Sequence, residues 1–357
     1  MKVVTGKGSA SGLVRIVAAS LYLLSVTAAT AGILEYVARL RTSFGYVRSA
    51  SPREVYQLRP GRADHNELGQ RDRVYSQAKP PGTFRVAGIG DSNMYGMGAP
   101  RERVFLKQAE QLLARSANRP VEVINFGVPG YNTAQEANLL EDVVAAWDPD
   151  LVVLQFCAND FELPNFIQTS GGPLVTRSFA LHVVLAQLAK LWPDFVKRKL
   201  MGYHYGRDVF RVPGLEHAPL DGPETVYERA GKTYTTQQFV EDPAKAPPEY
   251  RYMLGVDGVR AALRRVAAWS RAHRVPVIFL VVWSGKDRDA AALGAAEGLE
   301  VLDVWPAVTR YLEETGKQFT DLWVAPPTDS HPNEAGHAVI GQALAEAIAP
   351  HLAAAAR

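Results

Sequence analysis

The chain has 357 residues, 47% of them hydrophobic and 21% charged, with 39 Lys+Arg against 37 Asp+Glu. That balance excludes wholesale disorder and low-complexity architectures, and a net charge of +2 on scattered basic residues excludes a nucleic-acid binder. The single cysteine, Cys157, excludes an internal disulfide and any Cys-rich zinc scaffold.

The first element is an uncharged apolar run from Ile16 to Leu34, preceded by Lys2, Lys7 and Arg15 and followed by Glu35, Arg39 and Arg41. Its length suits a helix crossing a bilayer. Ala29-Thr30-Ala31 offers a cleavage site of the signal-peptide kind, but the apolar character continues past it. The expectation is a transmembrane signal anchor over residues 13–35 after a tail at 1–12, with secretion after cleavage as the alternative. Either places the body of the chain on the extracytoplasmic, periplasmic side. Residues 36–80, polar and Arg-rich, are expected to form a juxtamembrane extension lying on the domain.

Beyond Pro80-Pro81-Gly82 the pattern changes. Apolar runs at 84–90, 121–127, 151–157, 275–283 and 299–305 alternate with helical patterns near 101–117, 133–147, 251–273, 287–297 and 333–349. Runs apolar on both faces and separated by helices predict a parallel sheet between two helix layers. The expected fold is a three-layer α/β/α sandwich on a five-stranded, flavodoxin-like sheet over residues 81–357. The stretch from about 161 to 250 is too long for an ordinary crossover and reads as a lid-like insertion with a helical piece around 178–200.

The chemistry-bearing residues fall at strand ends, where such sheets bind ligands. The first run ends in Gly90-Asp91-Ser92, and a serine on a sharp strand-to-helix turn is placed to act as a nucleophile. The second ends at Gly127, whose N–H is expected to be free for a ligand, and the third ends in Cys157-Ala158-Asn159-Asp160, where the Asn159 amide adds a donor. Near the C-terminus, Asp329 and His331 are expected in a loop just before the last helix. An imidazole titrates near neutrality and can take a serine proton, while a carboxylate on its other nitrogen fixes the tautomer. Asp91 and Asp160 are expected to anchor loops, His337 to pack or cap, and Asn93, Asn132 and Trp283 to line a substrate pocket.

In chain order, Gly90–Ser92, Gly127, Asn159 and Asp329–Asn333 resemble the four blocks of the SGNH, or GDSL-type, serine hydrolases, over about residues 84–350. The resemblance implies a Ser92–His331–Asp329 triad, and an oxyanion hole built from the Ser92 and Gly127 N–H groups and the Asn159 side chain. It also implies no metal and no organic cofactor, and a substrate that is an acylated small molecule, lipid or glycan. Two departures stand out. Cys157 replaces the glycine usual before Asn159, and the acid lies two residues before the histidine instead of three, the usual spacing giving Thr328. The shorter spacing is similar to that of membrane-linked relatives that acetylate polysaccharides. Three functions stay open on the residues alone: an ester hydrolase at the cell envelope, an O-acyltransferase using the same residues, and a non-catalytic glycan-binding or scaffold domain. The oligomeric state is not legible.

Overall fold

The computed structural model describes residues 8–42, 45–49, 51, 53–61, 64–162, 225–229, 232–236, 248–282, 288–326 and 329–355, with positions 180, 184, 188 and 191. Helix α1 (Gly8–Thr42) runs unbroken for 35 residues. Among the described residues it is the one helix long and apolar enough to cross a membrane, over Val14–Val37, and none of that stretch is buried against the rest of the chain. The tail at 1–7, Trp283, Thr328 and the helical piece expected at 178–200 lie outside the described residues, apart from the isolated positions above. Of the 161–250 insertion, the longest described pieces are two antiparallel strands, Thr225–Arg229 and Lys232–Thr236, and the short 3-10 turn from Pro248.

The domain is built on strands that follow the apolar runs. With β1 (Tyr46–Arg48) and β2 (Tyr56–Leu58) forming a small hairpin ahead of it, the sheet comprises β3 (Phe84–Ile89), β4 (Val121–Asn125), β5 (Leu151–Phe156), β8 (Val277–Val281) and β9 (Glu300–Asp303), the insertion hairpin supplying β6 and β7. The order across the sheet is β4-β3-β5-β8-β9 and every pairing is parallel, which is the flavodoxin-like order. Side chains alternate between faces along each strand. Val152, Leu154 and Phe156 face one cluster with Phe279 and Val281, while Leu151 and Val153 face another with Ile278 and Leu280. Helices α4 (Thr133–Asp142) and α5 (Gly255–His273) cover the first face, and α3 (Phe105–Ser116) and α8 (Glu334–Ala354) cover the second. Truncating a core side chain such as Leu154 or Ile340 would cost on the order of 2–5 kcal/mol. Between β8 and α8 the chain forms α6 (Arg288–Ala296), α7 (Trp305–Thr315) and a second hairpin, β10 (Trp323–Ala325) with β11 (Asp329–Pro332).

Three elements differ from the sequence reading. The run at 299–305 ends as a strand at Asp303, because Pro306 fits the first turn of a helix and starts α7. The closing helix extends to Ala354, passing through Pro350. The segment holding His331, expected as a loop, is strand β11.

Residues 53–61 and 64–79 pack on the domain through polar groups. Arg85, fully buried at the entry of β3, donates to the carbonyls of Ser76, Gln77 and Trp147 and pairs with Glu122 at 2.7 Å. Lys107, nearly buried on α3, reaches Asp72 at 2.8 Å, Glu110 at 3.1 Å and the Tyr75 hydroxyl at 2.7 Å. Arg53 holds Glu141 and Asp142 on α4 at 2.7 and 3.0 Å.

Candidate active site

The parallel sheet delivers its loops to one edge, and the sharpest of them leaves β3. Gly90 has no room for a side chain, since a Cβ there would stand 2.5 Å from Gln155 Oε1. Asp91 then caps the one-turn helix α2 (Ser92–Tyr95), its Oδ1 accepting the Asn93 N–H at 2.8 Å. Gln155, on β5, accepts the N–H groups of both Asp91 and Met94 at 3.1 Å and so holds the turn from below. Gly96, at φ +91°, ends α2 in the left-handed conformation a side chain would strain. Ser92 is left half-exposed at the first helical position, where the N–H has no partner within the helix.

The second half of the site comes from the far end of the chain. Hairpin β10–β11 carries Asp329 and His331, and Asn333 locks its exit by capping α8 while donating from Nδ2 to the carbonyls of Asp321 and Trp323 at 2.8 and 3.0 Å. His331 Nε2 lies 2.8 Å from Ser92 Oγ, and His331 Nδ1 lies 2.6 Å from Asp329 Oδ1. The same carboxylate oxygen accepts the His331 backbone N–H at 3.0 Å, so the D-x-H spacing closes a tight local loop around one acceptor. In this chain of contacts the hydroxyl donates to Nε2 and Nδ1–H donates to Asp329, the arrangement in which a serine can lose its proton to an imidazole.

The strand-end donors are placed less uniformly. Asn159 lies in the 3-10 turn Ala158–Phe161 after β5, and its amide works against the burial that raises the Asp91 carboxyl's pKa. The Gly127 N–H, expected to be free, instead donates to Asn125 Oδ1 at 2.9 Å. A Cβ on Gly127 would overlap the Tyr95 backbone nitrogen, so this glycine serves close packing beneath α2. The sequence reading missed Gly130. Pro129 and Gly130, the latter at φ +80°, occupy the centre of a turn closed by the Tyr131 N–H on the Val128 carbonyl at 3.1 Å, and Val128 itself donates to the Gly90 carbonyl. This is the type II pattern, whose closing bond does not use the third residue's N–H. The Pro-Gly pair was the signal that could have found it.

The pocket residues divide as well. Asn132 is 1% exposed and is spent as the N-cap of α4 in a capping box with Gln135, its Nδ2 donating to the Glu162 carbonyl. Asn93 is 3% exposed beneath the elbow and donates from Nδ2 to Asp91 at 3.3 Å. Both side chains are buried. Asp160 anchors its loop, accepting the Thr133 hydroxyl at 2.7 Å. Cys157 is partly exposed.

Buried carboxyls lie behind the elbow. Asp91 is raised in pKa, first by burial, against the lowering effects of the Asn93 N–H and the His331 charge. Burial, then the charges of Asp160 and Asp91, push the Glu136 carboxyl well above the usual carboxylate range, and neither of its oxygens has a hydrogen-bond partner among the described residues. His337 is fully buried; its Nδ1 accepts the Phe105 N–H and its Nε2–H donates to the Met97 carbonyl, both at 3.2 Å.

Comparison with solved structures places similar folds at low identity. A two-domain esterase active on acetylated mannans, co-crystallised with mannopentaose, shares 11% identity at a TM-score of 0.41, covering 76% of this chain and 50% of that one. This chain thus spans half of that enzyme. An acetylxylan esterase from Geobacillus stearothermophilus shares 13% at 0.40, covering 74% and 93%. An alpha/beta hydrolase from the metagenome of Lake Arreo, Spain, shares 16% at 0.40, covering 75% and 96%. No curated protein matches. The GDSL-like Lipase/Acylhydrolase family matches residues 89–339, from the end of β3 into α8 and across more than half of the chain. This protein belongs to that family of ester-bond hydrolases.

Proposed function

We propose that the protein is a serine-dependent ester hydrolase in which Ser92, His331 and Asp329 form the catalytic triad. The observation that carries this reading is the continuous hydrogen-bonded line from Ser92 Oγ to His331 at 2.8 Å and from His331 to Asp329 at 2.6 Å. Ser92 Oγ attacks the ester carbonyl carbon as its proton passes to His331 Nε2, and Asp329 stabilises the imidazolium formed. The carbonyl oxygen, now negative, takes hydrogen bonds from the Ser92 N–H and the Asn159 amide, with Gly130 in the role first expected of Gly127. Collapse of the tetrahedral adduct expels the alcohol, which takes the proton from Nε2. Water then attacks the acyl-serine by the same route in reverse, releasing the acid and free Ser92.

The proposed substrate is an acylated carbohydrate or lipid. The proposed location is the cell envelope, with α1 as a retained anchor and the catalytic body on the extracytoplasmic side. In support, the uncharged apolar run continues past Ala29–Ala31 to Leu34.

The test is acetate and alcohol release from acetylated glycan and from 4-nitrophenyl esters of rising chain length, by wild type and Ser92→Ala. Hydrolysis that disappears in Ser92→Ala supports the reading. Acetyl transfer to a glycan acceptor without hydrolysis would replace it with an acyltransferase.

A further inference from the structure

We propose that Arg71, in the polar extension between α1 and the sheet, is a positioning residue that sets the Ser92–His331 distance. The inference rests on the reading of Ser92 and His331 given above. Helix α2 is a single turn of four residues, too short to hold its own geometry. Its start is fixed by Asp91 and Gln155. Its end is held by Asn125 Nδ2, which donates to the Met94 carbonyl at 3.0 Å, and by a guanidinium that alone reaches on to residues 96–99: Arg71 Nη1 donates to the Tyr95 and Gly96 carbonyls at 3.2 and 2.9 Å, and Nη2 donates to the Ala99 carbonyl at 2.9 Å. Asp64 accepts from Nε at 3.0 Å and orients the group, whose central carbon sits 5.0 Å from the Tyr95 ring centroid. Tyr95 is itself held through its hydroxyl, 3.0 Å from His65 Nε2. Arg71 is only 12% exposed along its side chain, so these bonds are shielded from competing water.

The loop so gripped also bears the histidine's segment. Gly98 packs so closely on the Pro332 carbonyl that a Cβ would overlap it, and Met97 accepts from His337 on α8. Residues 95–99 therefore touch the serine's helix on one side and the neighbour of His331 on the other. A lysine would keep the charge but could not serve three carbonyls and a carboxylate at once, since that geometry needs the planar fork.

The test uses the full chain in detergent as wild type, Arg71→Lys and Arg71→Ala, read by 4-nitrophenyl acetate turnover and by the rate of fluorophosphonate labelling. Arg71→Lys is expected to lower kcat and labelling rate together by about tenfold to hundredfold, with KM held within about twofold. Added guanidinium ion is expected to restore part of the loss in Arg71→Ala; should that variant not fold, Arg71→Lys decides alone. Wild-type kcat and labelling in a folded Arg71→Lys, or a loss confined to KM or to thermal stability, would overturn the inference alone. A wild type that neither labels nor turns over would overturn the reading of the site, and this inference with it.

Discussion

The Phe105 N–H donates to His337 Nδ1 at 3.2 Å, joining α3 to α8 across 232 residues of chain. The same imidazole donates to Met97 beside the nucleophile turn, so it must stay neutral to keep both bonds. Burial lowers its pKa to about 4.

Between the ordinary histidine range and about pH 4, the unfolded chain therefore binds the proton and the folded chain does not. The contribution is complete above about pH 6.5 and is lost as the pH falls toward 4, on the order of 3 kcal/mol in total. His337→Gln should remove that part of the acid-limb slope in melting temperature against pH. An unchanged slope in the variant would show that His337 titrates normally.

Glu136 has the opposite sign. Its carboxyl is raised, so the folded chain holds the proton and wild-type stability declines as pH rises above the ordinary carboxylate range. Glu136→Gln keeps the shape without the acidic proton. It is expected to be more stable than wild type, with a gap that widens from pH 5 to 9. A gap that is constant or closes over that range would mean an ionised Glu136 with a partner.

Asn159→Ala removes one proposed oxyanion donor and leaves the triad intact. A loss of about 10²–10³ in kcat is expected with little change in melting temperature. Steady-state kinetics with 4-nitrophenyl acetate reads this directly, and wild-type kcat would remove Asn159 from the site.

Two arginines separate packing from surface charge. Arg85 is fully buried with three carbonyls and Glu122 around its head, so Arg85→Ala should cost about 3–5 kcal/mol in urea unfolding by orphaning those partners. Arg53, 43% exposed along its side chain, pairs with Glu141 and Asp142 at the surface, and Arg53→Ala should cost under about 1 kcal/mol. Equal costs would contradict this division.

The sheet was legible because its strands are buried on both faces, and a run such as Leu151–Phe156 carries that fact in six residues. Ser92 stood out as a candidate because it lies where an apolar run meets a helix, and Asp329 and His331 because they fall just before the closing helix. Other features depend on partners distant in sequence. That the Gly127 N–H is taken by Asn125, two residues earlier, follows from the Asn125 side chain being turned inward, its Nδ2 donating to the Met94 and Tyr95 carbonyls. Asn132 reads equally as a pocket amide or a cap until Gln135 is seen to complete the capping box. The short β10–β11 hairpin has too few residues to show a period, and nothing in the polar composition of residues 53–79 announces that Arg71 reaches under the nucleophile turn.

The most direct measurement is mass-spectrometric mapping of a fluorophosphonate adduct on wild type, Ser92→Ala and His331→Ala. The account predicts a single adduct on Ser92, none in Ser92→Ala, and labelling slowed by orders of magnitude in His331→Ala, since Ser92 Oγ stands 2.8 Å from the nitrogen that would take its proton. An adduct on another residue, or His331→Ala labelled as fast as wild type, would contradict it.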